Sequence, residues 1–252
     1  MCRHLAYLGP VISLGRILSE PEHSLVRQSW EPRRQRHGTV NADGFGVGWY
    51  ADGDPVPARY RRGRPVWGDE GFADLARVVR SGAFLAAVRD ATFAGSDGEA
   101  AAAPFASGPW LFSHNGALRD WPDAVAPVAG TLTPGELLQL AARTDSALVW
   151  ALVLHRLRAG DDLGRALAEA VHELAAASPG SRLNLLLTDG RAIAATAWGD
   201  SLWYRADPPA GRVIVASEPH DDDSRWYEVP DRTLLTATRA GVVLTPLKET
   251  ST

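Results

Sequence analysis

Met1-Cys2-Arg3-His4-Leu5-Ala6-Tyr7-Leu8-Gly9 opens the chain, and the rest is read outward from this stretch. Cys2 is the only cysteine and Met1 the only methionine among 252 residues. An aminopeptidase removes an initiator Met when the next side chain is small, as that of Cys is. Processing would leave Cys2 first, with a thiol and a free α-amine on one residue. The thiolate is the reactive form of Cys, and a free thiol titrates near ~8.5. An α-amine titrates near ~7.7, so part of it is neutral at cell pH and accepts a proton. Activation of a nucleophile by a terminal amine is an established arrangement. The same residues also read as a buried strand in which Cys2 is merely a small apolar side chain. Weak alternation over 2–8 fits a strand, with Cys2 at its exposed start.

Composition narrows the function classes. The length suits one large domain or two small ones, and 45% hydrophobic residues are ample for a core. The 26 basic and 30 acidic side chains give a net charge of −4, which argues against a nucleic-acid protein held by bulk charge. The basic run Arg33-Arg34-Gln35-Arg36-His37 reads as a solvated loop. A single cysteine excludes an internal disulfide and a thiolate zinc cluster. The start lacks a signal-peptide layout, and no apolar run reaches the ~18 residues of a membrane span. The expectation is a soluble, cytoplasmic protein of one domain over 1–252, with no membrane or nucleic-acid partner.

Further along, 10–18 suits a short helix or irregular turn, and 22–30 a second helix stopped by Pro32. The stretch 31–43 is a polar loop. Asn41-Ala42-Asp43-Gly44-Phe45-Gly46-Val47-Gly48-Trp49-Tyr50 alternates glycine with apolar residues, so it is a strand with one face stripped of side chains. Another backbone or a ligand can approach such a face. No strand-to-helix turn follows, so it is not a dinucleotide fingerprint. An arginine-rich hairpin over 55–68, a helix over 69–80 and a buried strand Phe84-Leu85-Ala86-Ala87-Val88 come next. The small, Ala-rich 95–104 reads as a mobile loop. Pro109-Trp110-Leu111-Phe112 is a short strand running into Ser113-His114-Asn115-Gly116.

Thr133-Pro134-Gly135-Glu136 is a capping box. Its helix breaks at Arg143-Thr144-Asp145-Ser146, where Asp145 or Ser146 caps a second helix closed by Gly160. A third helix begins near Asp162 with a stripe of Leu163, Leu167, Val171 and Leu174. The last third reads as strands, beginning with a hairpin around Asp189-Gly190. Strands early and late, with consecutive helices between, indicate an α+β layered domain.

Polar residues stranded at strand ends carry the functional signal. Arg89 follows an apolar run, Asn115-Gly116 follows Trp-Leu-Phe, and Asp145 breaks a helical stretch. Each has an ordinary reading too: a surface strand end, a turn dipeptide and an N-cap. Taken together and in order with Cys2, they resemble the glutamine amidohydrolase domain of class II amidotransferases, within the N-terminal-nucleophile hydrolase superfamily. The matching positions are Cys2, Arg89 in Val-Arg-Asp-Ala-Thr, Ser113-His114-Asn115-Gly116 and Arg143-Thr144-Asp145-Ser146. The opening Met-Cys-Arg-His-Leu and Asp43-Gly44-Phe45-Gly46-Val47-Gly48-Trp49 resemble a stand-alone subgroup that includes γ-glutamyl hercynylcysteine sulfoxide amidohydrolases. Ala87 and Asp90, where many amidotransferases carry His and an aromatic residue or Leu, also suit that subgroup.

The resemblance implies a four-layer αββα sandwich. It implies that Cys2 attacks a γ-glutamyl carbonyl, with Asn115 and the Gly116 N–H holding the oxyanion. It implies that Arg89 binds the substrate α-carboxylate and Asp145 its α-ammonium. His114, Asp43, Gly44 and Trp49 are further candidate pocket residues. A Cys–His dyad through His4 or His114 is the competing reading of the base. Neither metal nor other cofactor is expected. The partner is a small γ-glutamyl substrate, with γ-glutamyl hercynylcysteine S-oxide leading, and Trp30, Trp49 and Trp67 are candidate faces for its trimethylammonium. Two rival functions stand beside this one: a glutaminase subunit feeding ammonia to a separate synthase, and a non-catalytic binding module of the same fold. The oligomeric state stays open, a homo-oligomer included, and 97–108 is the candidate lid.

Overall fold

Side-chain alternation along the strands decides which layer each residue joins. In a computed structural model the described residues are 2–38, 40–91 and 98–247. The early strands are β1 (Arg3–Ser13), β2 (Gly44–Trp49), β3 (Ala58–Arg62), β4 (Arg80–Arg89), β5 (Phe105–Ser107) and β6 (Trp110–Ala117). The late ones are β7 (Arg182–Thr188), β8 (Ala192–Ala197), β9 (Trp203–Asp207), β10 (Arg212–Ala216), β11 (Tyr227–Glu228), β12 (Thr233–Thr238) and β13 (Gly241–Pro246). The helices are α1 (Gly15–Leu18), α2 (Leu25–Gln28), α3 (Glu70–Val78), α4 (Ala126–Ala129), α5 (Pro134–Leu138), α6 (Asp145–Arg158) and α7 (Leu163–Ala177). A seven-stranded sheet runs β11-β9-β10-β1-β4-β2-β3, and a six-stranded sheet runs β13-β12-β8-β7-β6-β5.

Three apolar clusters fill three interfaces. Between the sheets lie Ala6, Leu8, Leu85, Val213 and Val215 from one, and Leu111, Leu186, Ile193 and Ala195 from the other. On the outer face of the first sheet, Leu5, Tyr7, Phe84, Ala86 and Ile214 meet Ile17, Leu25 and Phe72 from α1–α3. On the outer face of the second, Phe112, Leu183, Leu185 and Leu187 meet Leu148, Leu152, Leu167, Val171 and Leu174 from α6 and α7. From Leu5 to Leu8, odd residues of β1 face helices and even ones face the partner sheet, as a period of two requires. The expected order helix, sheet, sheet, helix is what these clusters build.

Several local readings change. The stretch 10–18 divides between two elements: the expected short helix is α1 over Gly15–Leu18, while β1 continues to Ser13 with its register against β4 shifted between Leu8 and Ile12. That bulge accommodates Pro10, which has no N–H for the ladder. The 22–30 helix shrinks to α2. No hairpin forms within 55–68; β3 pairs with β2 and is followed by a 3-10 turn at Val66–Gly68. Part of the candidate lid and mobile loop, residues 95–97, lies outside the described residues. The remainder is not lid-like, because Ala101, Ala102 and Phe105 are buried and β5 is bonded to β6. The stripped face of β2 is used as foreseen. A Cβ on Gly46 would come within 2.4 Å of the Ala103 carbonyl oxygen.

Candidate active site

Strand registers bring the polar strand ends to one end of the sandwich. Arg3 pairs with Val88, so Cys2 lies beside Arg89. Gly44 pairs with Arg89 on the other side of β4. Cys2 is partly buried. Burial pushes its thiol above the ordinary value, and the nearby Asp145 carboxylate adds to the rise. The Asp90 backbone N–H and Arg89 act against it. Arg89 and Asp145 therefore each lie within electrostatic reach of Cys2.

Asp43 clamps the end of β4. Its N–H donates to the Arg89 carbonyl at 2.9 Å, and its Oδ2 accepts from the Ala91 N–H at 2.7 Å. Arg89 Nη1 donates to the Asp43 carbonyl at 3.3 Å. Gly44 follows at φ 145°, a conformation that side chains resist. Asp43 and Gly44 thus form a clamp on the strand end that carries Arg89. Trp49 does not: it ends β2 opposite Phe84, five residues from the Arg89 pairing, and sits against the helix-side core.

β6 divides its side chains between two layers. Ser113 and Asn115 face the partner sheet, where Ser113 Oγ meets His4 Nδ1 at 3.2 Å. Asn115 Nδ2 donates to Ser217 Oγ at 3.4 Å, and that oxygen also accepts the His4 backbone N–H at 3.0 Å. Ser217 therefore links β1, β6 and the end of β10. In the sequence its signal is a polar position directly after the apolar Arg212–Ala216 run, which fits a pocket residue and a plain strand end equally. His114 points the other way. Its Nε2 lies 2.9 Å from the Arg182 carbonyl and its Nδ1 3.0 Å from Ser146 Oγ. The carbonyl can only accept, so Nε2 carries the proton and Nδ1 accepts from Ser146. His114 is a tie between β6, β7 and α6 rather than a pocket group. Gly116 is required: a Cβ there would stand 1.9 Å from the Arg182 carbonyl oxygen.

Asp145 occupies the first turn of α6, where negative charge suits the helix dipole. The cap is Thr144, whose side chain accepts from the Ala147 N–H at 3.3 Å, and not Asp145 or Ser146 as the sequence suggested. Asp145 Oδ2 accepts from Leu118 N–H at 3.1 Å and Oδ1 from Ser146 N–H at 2.7 Å. These bonds fix the carboxylate between the exit of β6 and the start of α6. His4 is fully buried, and burial, then His114 and Arg3, lower its pKa to about 3. Arg3 and Glu218 face each other, both fully buried, with Nη2 and Oε2 3.8 Å apart.

A partly buried cysteine at a strand end, an asparagine–glycine pair on a strand of the facing sheet, and an arginine and aspartate near the cysteine define a class. The chain belongs to the class II glutamine amidotransferases: the model of that family matches residues 20–213. Among curated relatives, a gamma-glutamyl-hercynylcysteine sulfoxide hydrolase of Mycolicibacterium smegmatis is 43% identical over 98% of this chain and 100% of the relative. The protein of the same name in Mycobacterium tuberculosis is 40% identical over 98% of this chain and 97% of the relative. Among solved structures, a glutamine aminotransferase class-II domain protein of Silicibacter pomeroyi superposes with a TM-score of 0.68 at 25% identity, covering 98% and 100% of the two chains. A B. subtilis glutamine phosphoribosylpyrophosphate amidotransferase shares the fold at a TM-score of 0.64 and 15% identity, with 98% of this chain matched to 49% of that one.

Proposed function

We propose that this chain hydrolyses the γ-glutamyl amide of γ-glutamyl hercynylcysteine sulfoxide through a thioester on Cys2, releasing glutamate. The observation that carries this is end-to-end similarity to two hydrolases named for that substrate. The geometry supports the chemistry. With Met1 removed, the Cys2 α-amine takes the thiol proton and the sulfur attacks the γ-carbonyl carbon. The Asn115 amide and the Gly116 N–H stabilise the resulting oxyanion, each such donor contributing on the order of 3 kcal/mol. Collapse breaks the C–N bond, and the ammonium returns its proton to the leaving amine. Water, deprotonated by the same amine, cleaves the thioester.

Arg89 takes the substrate α-carboxylate as a forked donor, and Asp145 pairs with the α-ammonium. Together they select a free glutamyl amino acid. The base is the amine rather than His4, because an imidazole titrating near 3 holds a proton too weakly to take one from a thiol. Trp30 and Trp67 meet edge to face at 5.6 Å with 38% and 46% of their surface exposed, and offer faces for a trimethylammonium. Among the described residues no helix is long and apolar enough to cross a membrane.

The test is substrate choice. The purified protein should cleave the γ-glutamyl sulfoxide far faster than free glutamine at equal concentration. Glutamine cleaved far faster would overturn the substrate assignment and favour an ammonia-supplying glutaminase.

A further inference from the structure

The basic run at 33–37, which the sequence presents as a solvated loop, is built into the site. Glu218, fully buried at the end of β10, accepts the backbone N–H groups of Arg33 and Arg34 at 3.0 and 2.8 Å. Arg33 pairs with Asp222 at 2.9 Å, and the Arg34 guanidinium lies 4.6 Å from the Trp203 ring centre. Beyond, Gln35 Oε1 accepts from Asn41 Nδ2 at 3.1 Å. His37, between these anchors, shares a cavity of about 320 Å³ with Arg119, Ser181, Arg182, Trp198 and Gly199 at the end of the other sheet. The segment is therefore a strap that crosses from one sheet to the other at the end where Cys2 lies.

Direction follows from strand order. Arg89 is on β4, one neighbour of β1, and the strap is anchored on β10, the other neighbour. A glutamyl group held by Arg89 and Asp145 places its γ-carbonyl at Cys2, so the leaving amine extends toward the strap. The cavity adjoins Gly116 through Arg182, whose carbonyl oxygen a Gly116 Cβ would touch. Its cations are not all committed. Arg182 pairs with Asp200 at 3.2 Å, and Arg232 stacks on Trp198 at 4.2 Å. Arg119 is exposed, lies against Gly180, and makes no ion pair among the described residues.

Resting on the function proposed above, we infer that this cavity is the leaving-amine subsite, that it takes a carboxylate-bearing amine, and that Arg119 reads the carboxylate with His37 beside it. An amine derived from an amino acid carries such a carboxylate, whereas the ammonia of glutamine does not. The subsite would thus separate the two donors by charge.

The experiment compares Arg119→Ala and Arg119→Lys with the unaltered protein in two measurements. Steady-state kinetics on γ-glutamyl hercynylcysteine sulfoxide should show KM raised on the order of 10- to 100-fold in Arg119→Ala, with partial rescue by Lys. The rate of Cys2 labelling by diazo-oxo-norleucine, which reads the glutamyl half alone, should stay within about two-fold. An unchanged KM, or a parallel loss of labelling, overturns the subsite. Failure of the unaltered protein to be labelled, or to cleave the sulfoxide, refutes instead the function on which the subsite rests.

Discussion

Burial keeps two histidines neutral, and that has a measurable consequence. His4 titrates near 3 and His220 near 4, in both cases chiefly through desolvation. At His220 the Asp221 carboxylate pulls the other way, while Arg205 and Arg212 add to the fall. Both values lie below the ordinary ~6.5, so the unfolded chain binds protons that the fold excludes. Stability is therefore fully present above pH 6.5 and lost as the pH falls toward the folded values. For His220 alone the loss between pH 6.5 and 5 is on the order of 1 to 2 kcal/mol. Urea unfolding of His220→Gln at the two pH values should show a pH dependence smaller by about that amount. An unchanged dependence would mean that His220 takes up its proton as readily in the fold as in the unfolded chain. Neither histidine could be placed from sequence, since their neutrality depends on long-range layers closing over them.

At the scale of elements, the site is a set of ends. β1 begins it, β4 and β6 run into it, and α6 starts from it. Apolar runs broken by Arg89, Asn115 and Asp145 made those ends legible. The cap of α6 was not, because Thr144, Asp145 and Ser146 are all good cap formers. What selects Thr144 is the bond from Leu118 N–H to Asp145, a contact across 27 residues. The length of β1 was hidden for a similar reason: Gly9-Pro10 looks like a stop, and only pairing with β4 turns it into a bulge. Thr144→Ala should lower stability by about 1 kcal/mol and raise KM for the γ-glutamyl substrate, since Asp145 loses its fixed helix start. A lower denaturation midpoint with KM unchanged would separate Asp145 from substrate binding.

The whole molecule explains why these ends converge. Two antiparallel sheets face each other through Ala6, Leu85, Leu111 and Ile193, and helices cover both outer faces. Periodicity alone gave an α+β layered domain; the four-layer order came from family resemblance, and the three apolar clusters supply its physical basis. Ser217 and Glu218 stand out in sequence only as polar residues after an apolar run, and the strap that Glu218 holds is not legible there, because both roles arise only where β10 ends beside β1. The central claim is that Cys2 is both nucleophile and, through its amine, base. It is tested by intact mass before and after treatment with diazo-oxo-norleucine. Loss of Met1 together with one covalent adduct on Cys2 is the predicted result. Met1 retained, with no adduct, would remove the base from the mechanism and leave a binding module of the same fold.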